Sequence, residues 1–456
     1  MRFIRRLLLF LIVIALITGG VMWYLAGREP GPQIAISAPK GFVGQKGTLT
    51  FTVDTPDGKV NALTAVIEQN GQQISLVPEG GVPVSEPHQE LSLPLGKAAQ
   101  PALVSGAATI RIAASRPVLY GYRTASSSVS QDVQVRLEAP RVSVLSLHQF
   151  INLGGAEFVV LRATPADVQA GVKVGDAEYP AYPGTAVGIA DPNVRVAFFA
   201  LRWDQDVNTP VSAFARDVAG NQGTTPVEHK PFPKAFVKSK IPIDQRFLDR
   251  VVPAIASESP GVQVDTSSPE GLLKGFLTIN GDLRAKNADT IRGMAAKTQP
   301  QMLWTEAFAQ MGNTQVESRF ADQRTYFFDN KEIDHQVHLG FDLASVQHGP
   351  VHAANAGVVL FANFLGIYGN CIIIDHGLGV QSLYGHLSSF EVKEGDKVSK
   401  NQEIGRTGIT GLAGGDHLHF TMLLQGTPVN PVEWWDPHWM QDRVFRKVKE
   451  AGTPGS

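Results

Sequence analysis

Apolar residues run almost unbroken from Leu7 to Ala26, interrupted only by Thr18, Gly19 and Gly20. A helix over that run would span about 30 Å, the hydrocarbon thickness of a bilayer. Arg2, Arg5 and Arg6 precede it, and Trp23 and Tyr24 stand at its far end. Positive charge before the span and an aromatic anchor after it predict that the arginines stay cytoplasmic and that everything beyond Arg28 is exported. A cleaved signal peptide is the competing reading. It would normally have a shorter apolar region ending in small residues, so the pattern favours an uncleaved anchor over residues 1–28.

Beyond the anchor the period changes to two. Leu49, Phe51 and Val53 alternate with Thr50, Thr52 and Asp54, and Leu63–Ile67 leads through Asn70-Gly71 to Ile74 and Leu76. Alternation marks a half-buried strand, and Asn-Gly between two such runs marks a tight hairpin. Further runs at Ile110–Ile112 and Val133–Leu137 complete a predicted β-sandwich over 31–139. A second sandwich is predicted over 140–228, with strands at Val142–Leu147, Phe158–Arg162, Val194–Leu201 and Val211–Arg216. Its closing stretch, Ala215–Asn221, resembles the last strand and exit turn of bacterial immunoglobulin-like modules. Neither sandwich carries a reactive constellation. Both read as spacers or scaffolds, with glycan or protein partners as the alternative.

Residues 229–318 switch to helical spacing. Phe247, Leu248, Val251, Val252 and Ile255 recur on one face. Ser268-Pro269-Glu270 has the form of an N-cap, a first-turn proline and a first-turn acid. A third helix is expected over 287–297. This connector either packs against its neighbours or lies across an active site as an inhibitory segment.

Composition narrows the chemistry. Lys and Arg number 40 against 42 Asp and Glu, which argues against a nucleic-acid partner. A single cysteine, Cys371, excludes an intrachain disulfide framework and any Cys-rich zinc module. It lies in an apolar run and reads as a buried, inert thiol.

Candidate chemistry is concentrated after Arg319. Three segments carry histidines: His338-Leu-Gly-Phe-Asp342, Tyr384-Gly-His386-Leu387 and Asp416-His417-Leu-His419-Phe420. On strands, residues two or four apart share a face, so His338 can join Asp342 and His417 can join His419. Two such clusters across a sheet can make a His/Asp/His metal site with an open fourth position, the form of a catalytic zinc site. Spacing alone leaves open which of His417 and His419 is the ligand.

The stretch Arg319–Trp435 resembles the lysostaphin/LytM-type zinc peptidases, the M23 family of peptidoglycan endopeptidases. The resemblance rests on His338–Asp342, Gly366–Gly379 (GIYGNCIIIDHGLG), Ser382–Leu387, the hairpin Gly395–Gly405 with Thr410-Gly411, Asp416–Phe420 and Val429-Asn430-Pro431. It implies one zinc ion per chain held by His338, Asp342 and His419, with catalytic roles for His386 and His417. Two positions depart from the common pattern: Asp416, where many members have proline, and Thr421, where many have glutamate. Tyr326 and Tyr384 are the candidate oxyanion donors. His376 reads as structural, and His335, His348 and His352 as possible groove or outer-shell groups. Trp434, Trp435 and Trp439 read as packing or a closing flap, with a substrate platform as the alternative.

The expected fold is therefore mainly β: two immunoglobulin-like β-sandwiches, a short helical connector and a C-terminal antiparallel-β LytM-type peptidase domain over 319–440, behind one N-terminal transmembrane helix. A tail follows over 441–456. The implied protein is a single-pass membrane enzyme, its bulk periplasmic or extracytoplasmic, that hydrolyses peptide bonds in peptidoglycan stems or cross-links. The rivals are a non-hydrolytic LytM-like activator of other wall hydrolases, an exported zinc peptidase on another substrate, and a chain held latent by its own connector. Acidic residues outnumber basic ones within 319–440, and wall polymer is itself anionic. Affinity should then depend on the groove and not on long-range attraction.

Overall fold

The computed structural model describes residues 2–56, 58–79 and 81–452; the last four residues of the expected tail lie outside them. Helix α1 (Arg2–Ala26) is long and apolar enough to cross a membrane, either as a signal or as an anchor. The chain divides into two compact units, Met1–Pro140 with Arg216–Gly223, and Arg141–Ala215 with Thr224–Ser456.

The first unit holds a three-stranded and a five-stranded sheet. The alternation read from the sequence has a direct cause: Leu49, Phe51 and Val53 are fully buried, facing Ile67, Ile110 and Ile112 in one core. Asn70 and Gly71 form the two-residue hairpin, with φ of 53° and 77°. Both central positions of that turn need positive φ, which Asn and Gly adopt at least cost.

In the second unit, strands Ala156–Thr164 and Val194–Ala200 pair antiparallel and are buried on both faces. Phe158 and Phe198 lie 4.8 Å apart, and Phe198 lies 5.4 Å from Trp434 near the C-terminus. The near-continuous apolar run of these strands thus reflects a core shared with the C-terminal sheet. Two buried polar links cross it. Lys447 donates to Glu157 at 2.9 Å, and Glu433 accepts from Asn152 Nδ2 and the Ala156 N–H at 2.8 Å each.

The connector contains α2 (Gln245–Glu258), α3 (Pro269–Thr278) and α4 (Arg284–Met294). Asp244 caps α2 by accepting from the Phe247 N–H, and Ser268 caps α3 by accepting from the Gly271 N–H. The third helix begins three residues earlier than expected. A π-turn, Ile279–Leu283, carries the chain from α3 into α4 without a loop, and buried Asn280 within it donates to Asp334 at 2.7 Å. That side chain belongs to no apolar stripe, which is why periodicity missed the turn.

The C-terminal antiparallel sheet has the order Gln315–Ser318, Phe341–Ala344, Leu418–Leu424, Val380–Leu387, Asn370–Asp375, Gly357–Phe364, Lys397–Val398. A separate three-stranded sheet, Lys238–Ile243, Asp322–Phe328 and Lys331–His338, joins the connector to it.

Glu433 gives this core a pH dependence. Burial pushes its carboxyl from 4.5 up to about 7, against the hydrogen bonds from Asn152 and Ala156. Between those values the folded chain binds more protons than the unfolded chain. Its contribution is therefore fully present below pH 4.5 and is lost as pH rises through 7, by about 3 kcal/mol in all. Glu433→Gln, whose amide can pair with a reoriented Asn152, should gain urea-denaturation stability relative to the parent as pH rises from 5 to 8. A difference that stays constant over that range would contradict the assignment.

Candidate metal centre

Strand register assembles the site. Asp342 pairs directly with His419, and His419 pairs on its other side with Gly385, one residue before His386. His338 ends the neighbouring hairpin, opposite Asp322. Gly340 is required between His338 and Asp342, because a Cβ there would lie 2.6 Å from the His419 ring. His386 has φ of 63°, a left-handed conformation uncommon outside glycine and often found at functional sites.

His338, Asp342 and His419 are buried, and their ligand atoms lie within 4.8 Å of one another. His338 Nε2 lies 2.9 Å from Asp342 Oδ1 and 2.9 Å from His419 Nδ1, which is itself 3.0 Å from the same oxygen. Hydrogen bonds on the far side of each ring determine what those atoms offer. His338 Nδ1 faces the Arg319 carbonyl at 3.1 Å and so donates to it. His419 Nε2 faces Thr421 Oγ1 at 3.0 Å, and that hydroxyl donates onward to the Leu339 carbonyl. Thr421 therefore accepts from His419. Both inward nitrogens then present lone pairs toward each other and toward a carboxylate oxygen. Such a set repels itself unless a cation sits between its members, so the donor set fits a metal ion.

Asp342 divides its oxygens. Oδ1 faces the imidazoles, while Oδ2 accepts from Arg324 Nη2 at 2.9 Å. Burial alone would raise its carboxyl. The surrounding histidines, His338 first, reverse this and hold it well below the usual carboxylate range. Burial pulls His419 down to about 4, which favours the neutral, ligating form.

Two further histidines border the cluster, with ring centroids 4.9 Å apart. His386 Nδ1 donates to the Thr410 carbonyl at 2.7 Å, leaving Nε2 as an acceptor. Burial, together with neighbouring His417 and His419, holds it well below its ordinary value. His417 Nδ1 lies 2.9 Å from the Gly415 carbonyl, and its Nε2 lies 3.4 Å from Asp342 Oδ1. Burial lowers His417, but Asp342 outweighs it and the net shift is upward in the metal-free site.

Residues 336–431 match the family described as Peptidase family M23. They form an M23 peptidase domain. The segment is similar to the DD-carboxypeptidase/endopeptidase Mpg of Neisseria meningitidis serogroup B, 44% identical over 97 residues, covering 21% of this chain and 22% of that protein. It is also similar to the peptidoglycan DD-endopeptidase ShyA of Vibrio cholerae, 29% identical over 161 residues, covering 35% of this chain and 34% of that protein. The catalytic domain of lysostaphin from Staphylococcus simulans aligns at 27% identity with a TM-score of 0.24, over 27% of this chain and 92% of that one. The chain spans about a fifth of the length of Mpg and a third of that of ShyA. The His-Asp-His arrangement is typical of zinc M23 peptidases.

The remaining sequence candidates fall into place around this M23 domain. Tyr384 is buried, its hydroxyl held between Ser382 and the Ala354 N–H, away from the groove. Tyr326 lines the groove. So does Tyr368, which the sequence reading missed, with its ring 5.4 Å from His419. His376 is buried between the Ala356 carbonyl and Ser382, and burial lowers it to about 4. His335 pairs with Glu332, and His348 contacts the Thr407 carbonyl; neither joins the cluster, and His352 is exposed on a separate strand. Asp416 accepts from Thr407 Oγ1 and the His348 N–H, tying two loops together. The three tryptophans pack: Trp434 is fully buried, Trp439 lies against it at 5.5 Å, and Trp435 lies against Phe341 at 5.3 Å. Arg324 was also missed. Asp329-Asn330, both at positive φ, turn the hairpin that pairs Asp322 with His338 and Arg324 with Gln336. Recognising that turn would have placed Arg324 on the face of His338.

Thr421→Val keeps the shape but removes the acceptor for His419 Nε2. Zinc affinity, measured by competition with a chromogenic chelator, should fall by about 10–100-fold, with Thr421→Ser retaining most of it. Unchanged affinity in the valine variant would contradict the tautomer argument.

Proposed function

We propose that this protein is a zinc-dependent endopeptidase that hydrolyses peptide bonds in peptidoglycan stems or cross-links. The observation carrying this reading is the convergence of His338 Nε2, His419 Nδ1 and Asp342 Oδ1 on one point, beside His386 and His417, within an M23 segment. One zinc per chain is proposed there, held by those three side chains. Zinc would supply a Lewis acid for the scissile carbonyl and lower the pKa of a water to about 7.

His386 and His417 divide the proton work. His386 holds Nδ1 on the Thr410 carbonyl, which leaves Nε2 as an acceptor, and contacts no carboxylate among the described residues, so it takes the water's proton. His417 holds Nδ1 on the Gly415 carbonyl and turns Nε2 toward the cluster, 3.4 Å from Asp342 Oδ1, so in its protonated form it is the donor. It donates to the developing oxyanion and then to the leaving amine. The Thr410 and Gly415 carbonyls fix both rings through Nδ1, so neither must reorient during the reaction. Arg324 holds Asp342 by its outer oxygen and keeps Oδ1 turned inward.

The same reading places α1 as an uncleaved single-pass anchor with the bulk of the chain outside the cytoplasm. The sheets over 31–139 and 140–228 are proposed as immunoglobulin-like sandwiches, 229–318 as the connector and 319–440 as the catalytic domain. The relatives' names, which specify DD-bonds and peptidoglycan, support the substrate class. A groove of about 1060 Å³ between connector and sheet favours an open site over a latent one. All five histidine and aspartate positions are present, which favours an enzyme over a silent activator.

The test is incubation of the detergent-solubilised chain with purified peptidoglycan and zinc, followed by mass spectrometry of released fragments. New peptide termini should appear, and should be absent with His419→Ala. His386→Ala should bind zinc normally yet lose roughly 10²–10⁴-fold in kcat. Zinc-loaded chain that releases no fragments would overturn the proposal.

A further inference from the structure

The groove has two walls of different origin. One is the M23 sheet with its histidines. The other comes from the connector, outside the matched segment, and contributes Arg246, Arg250 and Arg284. We infer that this second wall is a carboxylate-binding subsite, in which the three guanidiniums hold anionic groups of the bound peptide. The identity of that peptide as substrate rests on the peptidase reading; the anion site itself does not.

The arginines are placed for this and are not consumed by other charges. Arg250 donates to the Ala413 carbonyl at 2.7 Å and lies over the Phe247 ring at 5.5 Å, so its head is fixed with donors to spare. Arg284 spends Nε on the Asn280 carbonyl and Nη2 on Asn280 Oδ1, leaving Nη1. Arg246 is exposed and makes no hydrogen bond or ion pair among the described residues. Among the described residues, none of the three contacts a carboxylate.

The groove's acids are mostly committed elsewhere. Asp322 and Asp342 are both paired with Arg324, and Asp244 caps α2. Glu317 stands on the edge strand Gln315–Ser318 of the sheet. A wall of guanidiniums with free donors matches carboxylate, which Arg can bind through two parallel N–H bonds.

The subsite is also near the chemistry. Arg284 and Tyr368 line the same groove, and the Tyr368 ring lies 5.4 Å from His419. Arg250 binds the loop at Ala413, two residues before Gly415, whose carbonyl orients His417. A peptide lying in the groove would therefore have its scissile bond at the histidines and its carboxylates a few residues away on the connector. This also answers the charge problem of the catalytic domain. Acids outnumber bases across 319–440, and the connector supplies the local positive charge that an anionic peptide needs.

The test separates binding from turnover. The full chain in detergent, loaded with zinc and carrying His386→Ala to suppress turnover, is titrated with a synthetic stem peptide ending in D-alanine, its carboxylates free, and with the same peptide fully amidated. The acid form should bind about tenfold tighter. The double substitution Arg246→Gln with Arg284→Gln should remove that preference and leave binding of the amide unchanged, with a circular dichroism spectrum that matches the parent at the assay temperature. The corresponding double lysine variant should restore part of it. Equal binding of the two forms, no binding of the acid form, or equal loss of both in the glutamine variant would overturn the inference. Cleavage by the zinc-loaded chain is scored separately, so failure of the peptidase reading would leave the binding result intact.

Discussion

Two imidazole nitrogens without protons, 2.9 Å apart and facing the same carboxylate oxygen, cannot hydrogen-bond to each other. That arrangement is stable only around a cation, and much of the C-terminal half serves to enforce it. The Arg319 carbonyl fixes one tautomer and Thr421 the other. Arg324 holds the outer oxygen of Asp342, which leaves the inner one for the shared point. The first contacts define the site; the second set decides which atoms are available to it.

Enforcement extends into the scaffold. The three ligands come from strands and a hairpin whose register is set by apolar side chains, so a slip of one residue would turn the histidines to the opposite face. The sheet that carries Asp342 and His419 is backed by the core that contains Phe158, Phe198 and Trp434. The second β-module is therefore structurally continuous with the site's foundation, more than a spacer would need to be. The connector meets the site from the other side, through a core of Leu248, Phe276, Tyr326 and Ile367, and shapes the groove in which a peptide would lie.

Much of this was legible in the residues, for identifiable reasons. Leu49, Phe51 and Val53 alternate because one face is buried. Asn70-Gly71 turns because both residues accept positive φ. Asp244 and Ser268 stand at helix starts because each accepts from a backbone N–H. The M23 resemblance, likewise, was carried by short motifs whose order and spacing the strand pairings require. What was not legible depended on tertiary partners. Thr421 looked like a departure from a pattern until its hydroxyl was seen between His419 and Leu339. Tyr368 and Arg324 carry no motif of their own. The π-turn at Ile279–Leu283 is governed by the buried contact of Asn280 with Asp334, which no periodicity encodes. The basic groove wall escaped because its arginines lie in a connector that sequence reading treats as packing.

The most direct measurement is the X-ray absorption fine structure at the zinc edge of the full chain loaded with one equivalent of zinc. The account predicts a first shell of nitrogen and oxygen at about 2.0–2.1 Å with outer-shell scattering from two imidazoles, falling to one when His419 is replaced by alanine. A spectrum unchanged by that substitution, or one without two imidazoles in the parent chain, would contradict the claim that His338, Asp342 and His419 share a single ion.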